Sequence, residues 1–215
     1  RILMINITLP DGTVREYPSM VTGLDIAKSI SEGLARNVLS ITVNGETLDL
    51  NRPIAEDARI KLNTWDDKEG KATMWHSSAH IMAEAIETLY PGTKFGIGTD
   101  VENGFYYDID LGEHNISSND FEKIEQKIIE LARKKQPFVR KEISKSEALD
   151  FYTKKGDEYK VDLIQDLQDG TISLYESGNF TDLCRGPHLI DTSHIKAVKL
   201  LSIAGAYWRG DESRK

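Results

Sequence analysis

The sequence predicts an α+β protein in which a small β-grasp domain is followed by a larger α+β domain. Three observations support this: period-two alternation of apolar residues in the first sixty-odd positions, helical apolar repeats later, and a charged, apolar-free segment at 66–71 between them. The 215 residues suffice for one large or two modest domains. We therefore place the β-grasp domain at 1–64, a linker at 65–72 and the larger domain at 73–210.

The elements of the small domain follow from alternation and turn chemistry. Ile5, Ile7 and Leu9 precede the turn sequence at 10–12, which predicts a hairpin. Thr22 can cap a short helix. A second hairpin, at 39–50, turns through Asn44-Gly45, and a closing strand follows at 60–62. This segment contains neither histidine nor cysteine. We expect it to bind a partner and not to catalyse a reaction.

The larger domain mixes helices with hairpins and lacks a regular strand–helix rhythm, which favours α+β over a parallel sheet. Its first helix carries apolar residues at spacings of four and three, and its later helices show capping pairs and breakers. The expected elements are a helix starting near Thr73 and ended by Pro91-Gly92, a hairpin of 95–101 and 105–109, a helix capped by Asn119 with Glu122 and ended by Pro137, a helix from Ser144 to Gly156, and strands at 172–175 and 195–203.

Composition excludes several classes of protein. No apolar run approaches the roughly 20 residues needed to span a bilayer, so we expect no membrane partner. A formal net charge of -8 argues against holding nucleic acid by charge alone. It leaves room for a local basic patch, although such cations are more often solvated residues near helix ends. A single cysteine, Cys184, fits a reducing cytoplasm.

Two pairs of residues with the same spacing are candidates for a catalytic or metal-binding site. His76 and His80 are four apart on a predicted helix and therefore share one face. Cys184 and His188 have the same separation, but Gly186-Pro187 lies between them and prevents a regular helix. We therefore expect the second pair on a loop.

Three interpretations of these four residues stay open on spacing alone. Cysteine and histidine are common zinc ligands, so His76, His80, Cys184 and His188 could form a zinc site. The imidazoles could instead position water and transfer protons without metal. They could also be partly buried histidines beside an inert core cysteine. A four-ligand zinc set is usually structural, because a catalytic zinc keeps an open position.

The chain resembles bacterial threonyl-tRNA synthetases over essentially its whole length. Four blocks carry the resemblance: Trp75-His76-Ser77-Ser78-Ala79-His80 with Gly96-Ile97-Gly98, Asn103-Gly104-Phe105-Tyr106-Tyr107-Asp108, Asp182-Leu183-Cys184-Arg185-Gly186-Pro187-His188, and Ala204-Gly205-Ala206-Tyr207-Trp208-Arg209-Gly210-Asp211. The resemblance implies a TGS domain, which is ubiquitin-like, at 1–64 and an editing domain at 73–210. Residues 211–215 would start a helix toward a catalytic core outside this chain. Alanyl-tRNA synthetases carry a related editing domain, but the β-grasp domain favours the threonyl family.

The implied function is proofreading: hydrolysis, by a positioned water, of serine wrongly attached to threonine tRNA. Serine lacks only one methyl relative to threonine, and a missing methyl gives about 1–3 kcal/mol of discrimination, so a second, smaller site is needed. The full-length enzyme would attach threonine to its tRNA with ATP. The alternatives are a zinc-dependent hydrolase that uses the His/Cys cluster, and a non-catalytic module that binds the tRNA acceptor stem.

The resemblance also implies the residues of the site. Those expected to take part in catalysis are His76, His80, Lys160, Cys184 and His188. Those expected to bind substrate are Gly98, Tyr107 and Asp182. No metal ligand is implied.

Individual roles follow as expectations from the same resemblance. His76 and Lys160 would position water or the terminal ribose, and the Lys160 ammonium could also stabilise the oxyanion. Asp182 would bind the substrate ammonium, and Tyr107 the serine hydroxyl. By sequence alone, Lys160 lies in a charged segment typical of a surface, Tyr107 could be core packing, and Asp182 could cap a turn. Cys184 as a covalent nucleophile is chemically sound but disfavoured against direct attack by water.

The expected partner is threonine tRNA carrying serine at its 3′ end, and the expected location is the cytoplasm. No cofactor is expected for this chain, since the resemblance places ATP and zinc in the missing catalytic core. The full-length enzyme would be a homodimer through parts that this chain lacks, which leaves a monomer open for the fragment.

Overall fold

The computed structural model describes residues 1–214 and divides them into two compact units. The first unit comprises Arg1–His76 with Gly186–Ile190, and the second comprises Ser77–Arg185 with the chain from Asp191 onward. The short return segment joins the first unit because its last residue, Ile190, packs against that unit's core.

The first unit is built from seven strands and two short helices, followed by a long helix that continues into the second unit. They are β1 Met4–Thr8, β2 Val14–Pro18, β3 Val21–Thr22, α1 Gly23–Ile30, α2 Glu32–Asn37, β4 Ser40–Val43, β5 Glu46–Leu48, β6 Pro53–Ile54, β7 Ala58–Asn63 and α3 Lys68–Leu89.

The main sheet of the first unit has the strand order β2-β1-β7-β4-β5. β1 pairs parallel with β7, whereas the other neighbours in the sheet are antiparallel. Ile7 on β1, Ile26 on α1 and Ile41 on β4 are fully buried, so the helix covers the sheet. This topology confirms the expected β-grasp fold.

The predicted turns and cap of this unit are confirmed. Asn44 and Gly45 both have positive φ, 49° and 87°, which a type I′ hairpin turn requires. The Thr22 side chain accepts the backbone N–H of Asp25, and the Asp25 carboxylate accepts that of Thr22, forming a capping box. The unpredicted helix α2 begins because Ser31 caps it through the Leu34 N–H.

The long helix α3 begins at Lys68, before the predicted start at Thr73, so it takes up part of the predicted linker. The charged residues of the segment are engaged in the turn that starts the helix. Asp67 accepts the Thr64 backbone N–H at 2.8 Å and pairs with Lys61 at 3.2 Å. Gly70 lies so close to the Thr64 carbonyl that a side chain there would collide with it. Asp67 and Gly70 of the predicted linker are therefore explained by contacts in the turn that starts α3.

The described part of the second unit contains eight further strands and α-helices, besides short 3-10 turns. They are β8 Lys94–Val101, β9 Gly104–Asp110, α4 Phe121–Ala132, β10 Val139–Glu142, α5 Lys145–Lys155, α6 Glu158–Gln165, β11 Ser173–Ser177 and β12 Phe180–Leu183. β8 and β9 form a hairpin with an irregular register between Phe95 and Gly98. β10, β11 and β12 form an antiparallel sheet in that order. Buried side chains of α5, α6 and β11 share one core cluster.

Two predictions in this unit are wrong, and one helix was not predicted. The capping box before α4 is formed by Ser117 with Asp120, and not by Asn119, because a 3-10 turn precedes the helix. Residues 195–203 form no strand, and Leu201 is largely exposed, so their apolar character reflects no sheet pairing. The segment around Lys160 forms α6, which the sequence did not indicate. Among the described residues, no helix is both long and apolar enough to cross a membrane.

The close approach of Gly70 to Thr64 makes a specific stability prediction. Gly70→Ala should lower the free energy of unfolding by about 1–3 kcal/mol through overpacking, even though alanine favours helix. The matched control is Gly33→Ala in α2, where no atom lies within 4 Å of the added methyl. That change should stabilise the protein. Urea denaturation followed by circular dichroism measures both, and stabilisation by Gly70→Ala would contradict the packing described.

Candidate functional site

Lys160 lies inside the second unit although its neighbours in sequence are charged. Asp157 caps α6, because its carboxylate accepts the backbone N–H groups of Tyr159 and Lys160, each at 3.1 Å. The cap fixes the first turn of the helix, and Lys160 on that turn is only 2 % exposed. The prediction of a surface segment is therefore wrong for this side chain.

Three acceptors surround the buried Lys160 ammonium. Its Nζ lies 2.8 Å from Asp182 Oδ1, 3.1 Å from the Tyr107 hydroxyl and 2.5 Å from the Gly96 carbonyl oxygen. The Tyr107 hydroxyl donates to the other carboxylate oxygen, Oδ2, of Asp182 at 2.6 Å. Two of the three ammonium hydrogens donate to Tyr107 and Gly96, whereas Asp182 Oδ1 is an ion-pair partner without the geometry of a hydrogen bond. The structure thus brings together three of the predicted site residues.

Burial and pairing act in opposite directions on the Asp182 carboxyl, which is 3 % exposed. Burial by itself raises the pKa of Asp182, but the charges of Lys160 and His80 and the hydrogen bonds from Lys160 and Tyr107 hold that pKa below its usual range. Burial, followed by the adjacent Asp182 charge, raises the pKa of Tyr107 well above its usual range. The network therefore holds a carboxylate beside a neutral phenol.

The β8–β9 hairpin positions Tyr107. Gly98 pairs with Tyr107 across the hairpin, and the Tyr107 ring occupies the space that a side chain at Gly98 would need. Phe95 contacts the ring edge-to-face at 5.3 Å. In this structure Gly98, predicted to bind substrate, lies directly against the tyrosine, so any side chain at that position would displace the Tyr107 ring.

His80 and Cys184 also lie in the second unit. His80 is buried on α3, with its ring edge-to-face against Phe138 at 5.3 Å and Phe180 at 5.0 Å. Cys184 is partly buried just after β12, where its backbone pairs with Ser173: its N–H donates to the Ser173 carbonyl, and the Ser173 hydroxyl donates to the Cys184 carbonyl. The backbone of Cys184 is thus held to β11.

The two remaining predicted residues, His76 and His188, meet in the first unit. Their rings stack with centroids 4.3 Å apart and an interplanar angle of 27°. The backbone N–H of His188 donates to Asp49 Oδ1 at 2.8 Å, which fastens the return segment to this unit. The stretch around Pro187 has no regular secondary structure, as predicted, and its Gly186–Pro187 peptide bond is cis.

Glu84 is a buried ionisable residue that the sequence reasoning missed. It lies on α3 one turn after His80 and is 3 % exposed. Its Oε2 finds no hydrogen-bond partner among the described residues. Burial raises the pKa of Glu84 to about 7, and the Lys134 charge and the Asn179 backbone N–H oppose that rise only in part. The sequence feature that could have indicated Glu84 is its position four residues after His80, which places both on one face of the predicted helix.

The comparisons with known proteins agree with this architecture. Residues 5–64 match the family model of the TGS domain. Residues 172–215 match the model of the threonyl and alanyl tRNA synthetase second additional domain. The chain is therefore similar to a TGS domain near its amino terminus and to the second additional domain of threonyl and alanyl tRNA synthetases at 172–215.

The curated relatives to which this chain is similar are threonine–tRNA ligases. The chain is 60% identical over 99% of its length to the threonine–tRNA ligase of Cytophaga hutchinsonii, 58% identical to that of Parabacteroides distasonis and 59% identical to that of Porphyromonas gingivalis, again over 99%. It spans 33% of each of these relatives. These similarities confirm the resemblance to bacterial threonyl-tRNA synthetases.

The buried ion pair predicts an asymmetry between single and double substitutions. Lys160→Met removes the cation and leaves the Asp182 charge buried, which should cost about 3–5 kcal/mol of unfolding free energy. Adding Asp182→Asn removes that uncompensated charge and should restore part of the loss. Urea denaturation of the wild type, both single variants and the double variant measures the coupling. Strictly additive losses would contradict the pairing.

The raised pKa of Glu84 predicts how stability depends on pH. In the folded protein the pKa of the Glu84 carboxyl is about 7, against an ordinary value of 4.5, so the folded protein binds this proton more tightly than the unfolded chain does. The stabilising contribution of the protonated carboxyl is therefore complete below pH 4.5 and is lost as pH rises through 7. Glu84→Gln carries no charge at any pH. It should be more stable than wild type by about 1–2 kcal/mol at pH 8, allowing for screening by water, and nearly equal at pH 4.5.

Thermal unfolding at both pH values checks this expectation. Glu87→Gln, one turn further on the same helix, is the matched control, since its carboxylate pairs with Lys155 at 3.2 Å. An equal effect of Glu84→Gln at the two pH values would contradict the assignment.

Proposed function

We propose that this chain hydrolyses the ester of serine wrongly attached to threonine tRNA. The observation that carries the proposal is the buried Lys160–Asp182–Tyr107 network. A desolvated carboxylate beside an ammonium and a neutral phenol is costly for stability, and such groups are typical of sites that bind a charged substrate. The similarity to threonine–tRNA ligases indicates which substrate this is.

The chemistry explains why such a site is needed. Serine retains the hydroxyl that a threonine site recognises, and losing one methyl costs only about 1–3 kcal/mol of binding. A second site that admits serine and excludes threonine completes the discrimination. The ester is activated enough for a positioned water with modest acid–base assistance.

The network suggests how the substrate's polar groups bind. Asp182 Oδ2 accepts one hydrogen bond from Tyr107 and Oδ1 only pairs with the Lys160 charge, which leaves lone pairs for the ammonium of the seryl group. The Tyr107 oxygen accepts from Lys160 and donates to Asp182, so one lone pair remains for the serine hydroxyl. Three acceptors already surround the Lys160 ammonium, so we propose that it exchanges one of them to stabilise an oxyanion, and the neutral Gly96 carbonyl is the weakest of the three.

The other assignments remain those that the resemblance implies. Among them is the positioning of the attacking water by His76, and water attacks the ester directly without a covalent intermediate. Attachment of threonine, with its ATP and zinc, belongs to the part of the relatives outside this chain. We place the protein in the cytoplasm with the acceptor end of threonine tRNA as its partner.

The proposal predicts that the chain deacylates Ser-tRNA at least tenfold faster than Thr-tRNA, both prepared on threonine tRNA. Single-turnover reactions with the chain in excess measure this, because they do not depend on product release. The rate should be unchanged by a chelator. Binding of Ser-tRNA without hydrolysis would contradict the proposal and favour a non-catalytic RNA-binding module, whereas loss of activity with chelator would favour a metal-dependent hydrolase.

Two variants test the assigned steps in the same assay. His76→Ala should lower the hydrolysis rate more than it weakens tRNA binding, because positioning water acts on the chemical step. Cys184→Ser should retain appreciable activity. A trapped acyl-thioester on Cys184 would contradict direct attack by water.

A further inference from the structure

We infer that Trp208 is a positioning residue that holds Lys160 in place through Gly96 and α6. The inference rests on the proposed function, in which Lys160 acts on the substrate ester. Trp208 belongs to a 3-10 turn, Trp208–Gly210, far from Lys160 in sequence. Its side chain is 7 % exposed.

The first contact is with Gly96, the residue whose carbonyl accepts from Lys160. The Trp208 ring fills the position where a side chain would stand, since a methyl on Gly96 would come within 2.5 Å of ring carbon Cζ3. Gly96 lies between Phe95 and Gly98, where the register of the hairpin shifts. A shifted register leaves the backbone less constrained by its neighbour strand. The Trp208 ring therefore restrains Gly96 at a point where the pairing between β8 and β9 does so less.

The second contact is with α6, the helix that carries Lys160. The indole Nε1–H of Trp208 donates to Asp162 Oδ2 at 3.2 Å, two residues beyond Lys160. The ring also meets Tyr159 edge-to-face at 5.0 Å, one residue before Lys160. Trp208 thus contacts the helix on both sides of Lys160 and also packs against Gly96, the residue whose carbonyl accepts from the ammonium.

Trp208 is itself held by the segment that follows it. Its backbone N–H donates to the Arg214 carbonyl at 2.6 Å, and the Arg214 guanidinium pairs with Asp162 at 2.6 Å. Arg209 adds a pair with Asp166 at the end of α6, at 2.7 Å. These contacts hold residues 208–214 against α6.

The consequence is geometric. A group that must exchange a partner for the substrate needs to be held to within a fraction of an ångström, and a misplacement of about 1 Å can cost on the order of 100-fold in rate. Loss of the indole would free the Gly96 carbonyl and one face of α6 together. The ammonium would then shift, although every residue that touches the substrate would remain.

The test uses Trp208→Leu and the conservative Trp208→Phe, with Trp65→Leu as the control for removing an indole. Trp65 lies in the first unit and is about half exposed. We expect Trp208→Leu to slow single-turnover deacylation of Ser-tRNA by about 10- to 100-fold with little change in tRNA binding. Trp208→Phe, which keeps a ring against Gly96, should recover part of that rate, and Trp65→Leu should leave the rate unchanged.

Coupling to Lys160 separates positioning from a general structural effect. In a Lys160→Met background, Trp208→Leu should cause no further slowing, because the group through which it acts is absent. An equal additional loss in that background would overturn the inference. So would full activity of Trp208→Leu in the wild-type background.

A measurement without substrate distinguishes failure of this inference from failure of the proposed function. The 1H–15N signal of the Lys160 ammonium, which is buried among three acceptors, should be visible in the wild type and lost in Trp208→Leu while circular dichroism shows a folded protein. A signal retained in that variant overturns the inference. If the wild type shows the signal but no deacylation, only the proposed function fails. If Trp208→Leu does not fold, the same comparison is made with Trp208→Phe, whose signal should be weakened.

Discussion

The ion pair between Lys160 and Asp182 is the interaction on which the interior of the second unit depends. Transferring both charges out of water costs several kcal/mol each, and their attraction compensates only when the remaining hydrogen-bonding groups are also satisfied. Tyr107 and the Gly96 carbonyl supply those partners. The cap at Asp157 then fixes the helix on which Lys160 stands. These local features serve one network, which explains why they occur together.

A rigid network also suits the proposed selection of serine over threonine. An extra methyl in a well-packed site costs about 1–3 kcal/mol only if the walls do not relax. Here Tyr107 is held by Phe95, Gly98 and Asp182, so its ring cannot easily move aside. Polar groups that are already paired with one another would form a fixed frame around the seryl group that we propose binds here. The proposed selectivity and the stability of the buried charges would then have a common origin in this unit.

The sequence was informative where structure is decided locally. The type I′ turn at Asn44-Gly45 and the Thr22 cap follow from the chemistry of a few adjacent residues, and both are present. The burial of Lys160 is decided by partners 64 and 53 positions away, so its neighbours in sequence could not reveal it. The apolar residues at 195–203 led to the wrong prediction of a strand, because the local sequence does not show whether a second strand is available to pair with it.

The most direct test is a crystal structure of the chain with a non-hydrolysable seryl ester analogue, such as 3′-seryl-aminoadenosine. The account predicts the seryl ammonium within hydrogen-bond distance of Asp182 and the seryl hydroxyl within hydrogen-bond distance of Tyr107. It further predicts that Lys160 has exchanged the Gly96 carbonyl for an oxygen of the ligand. A seryl group bound without contact to Asp182, Tyr107 or Lys160 would contradict it.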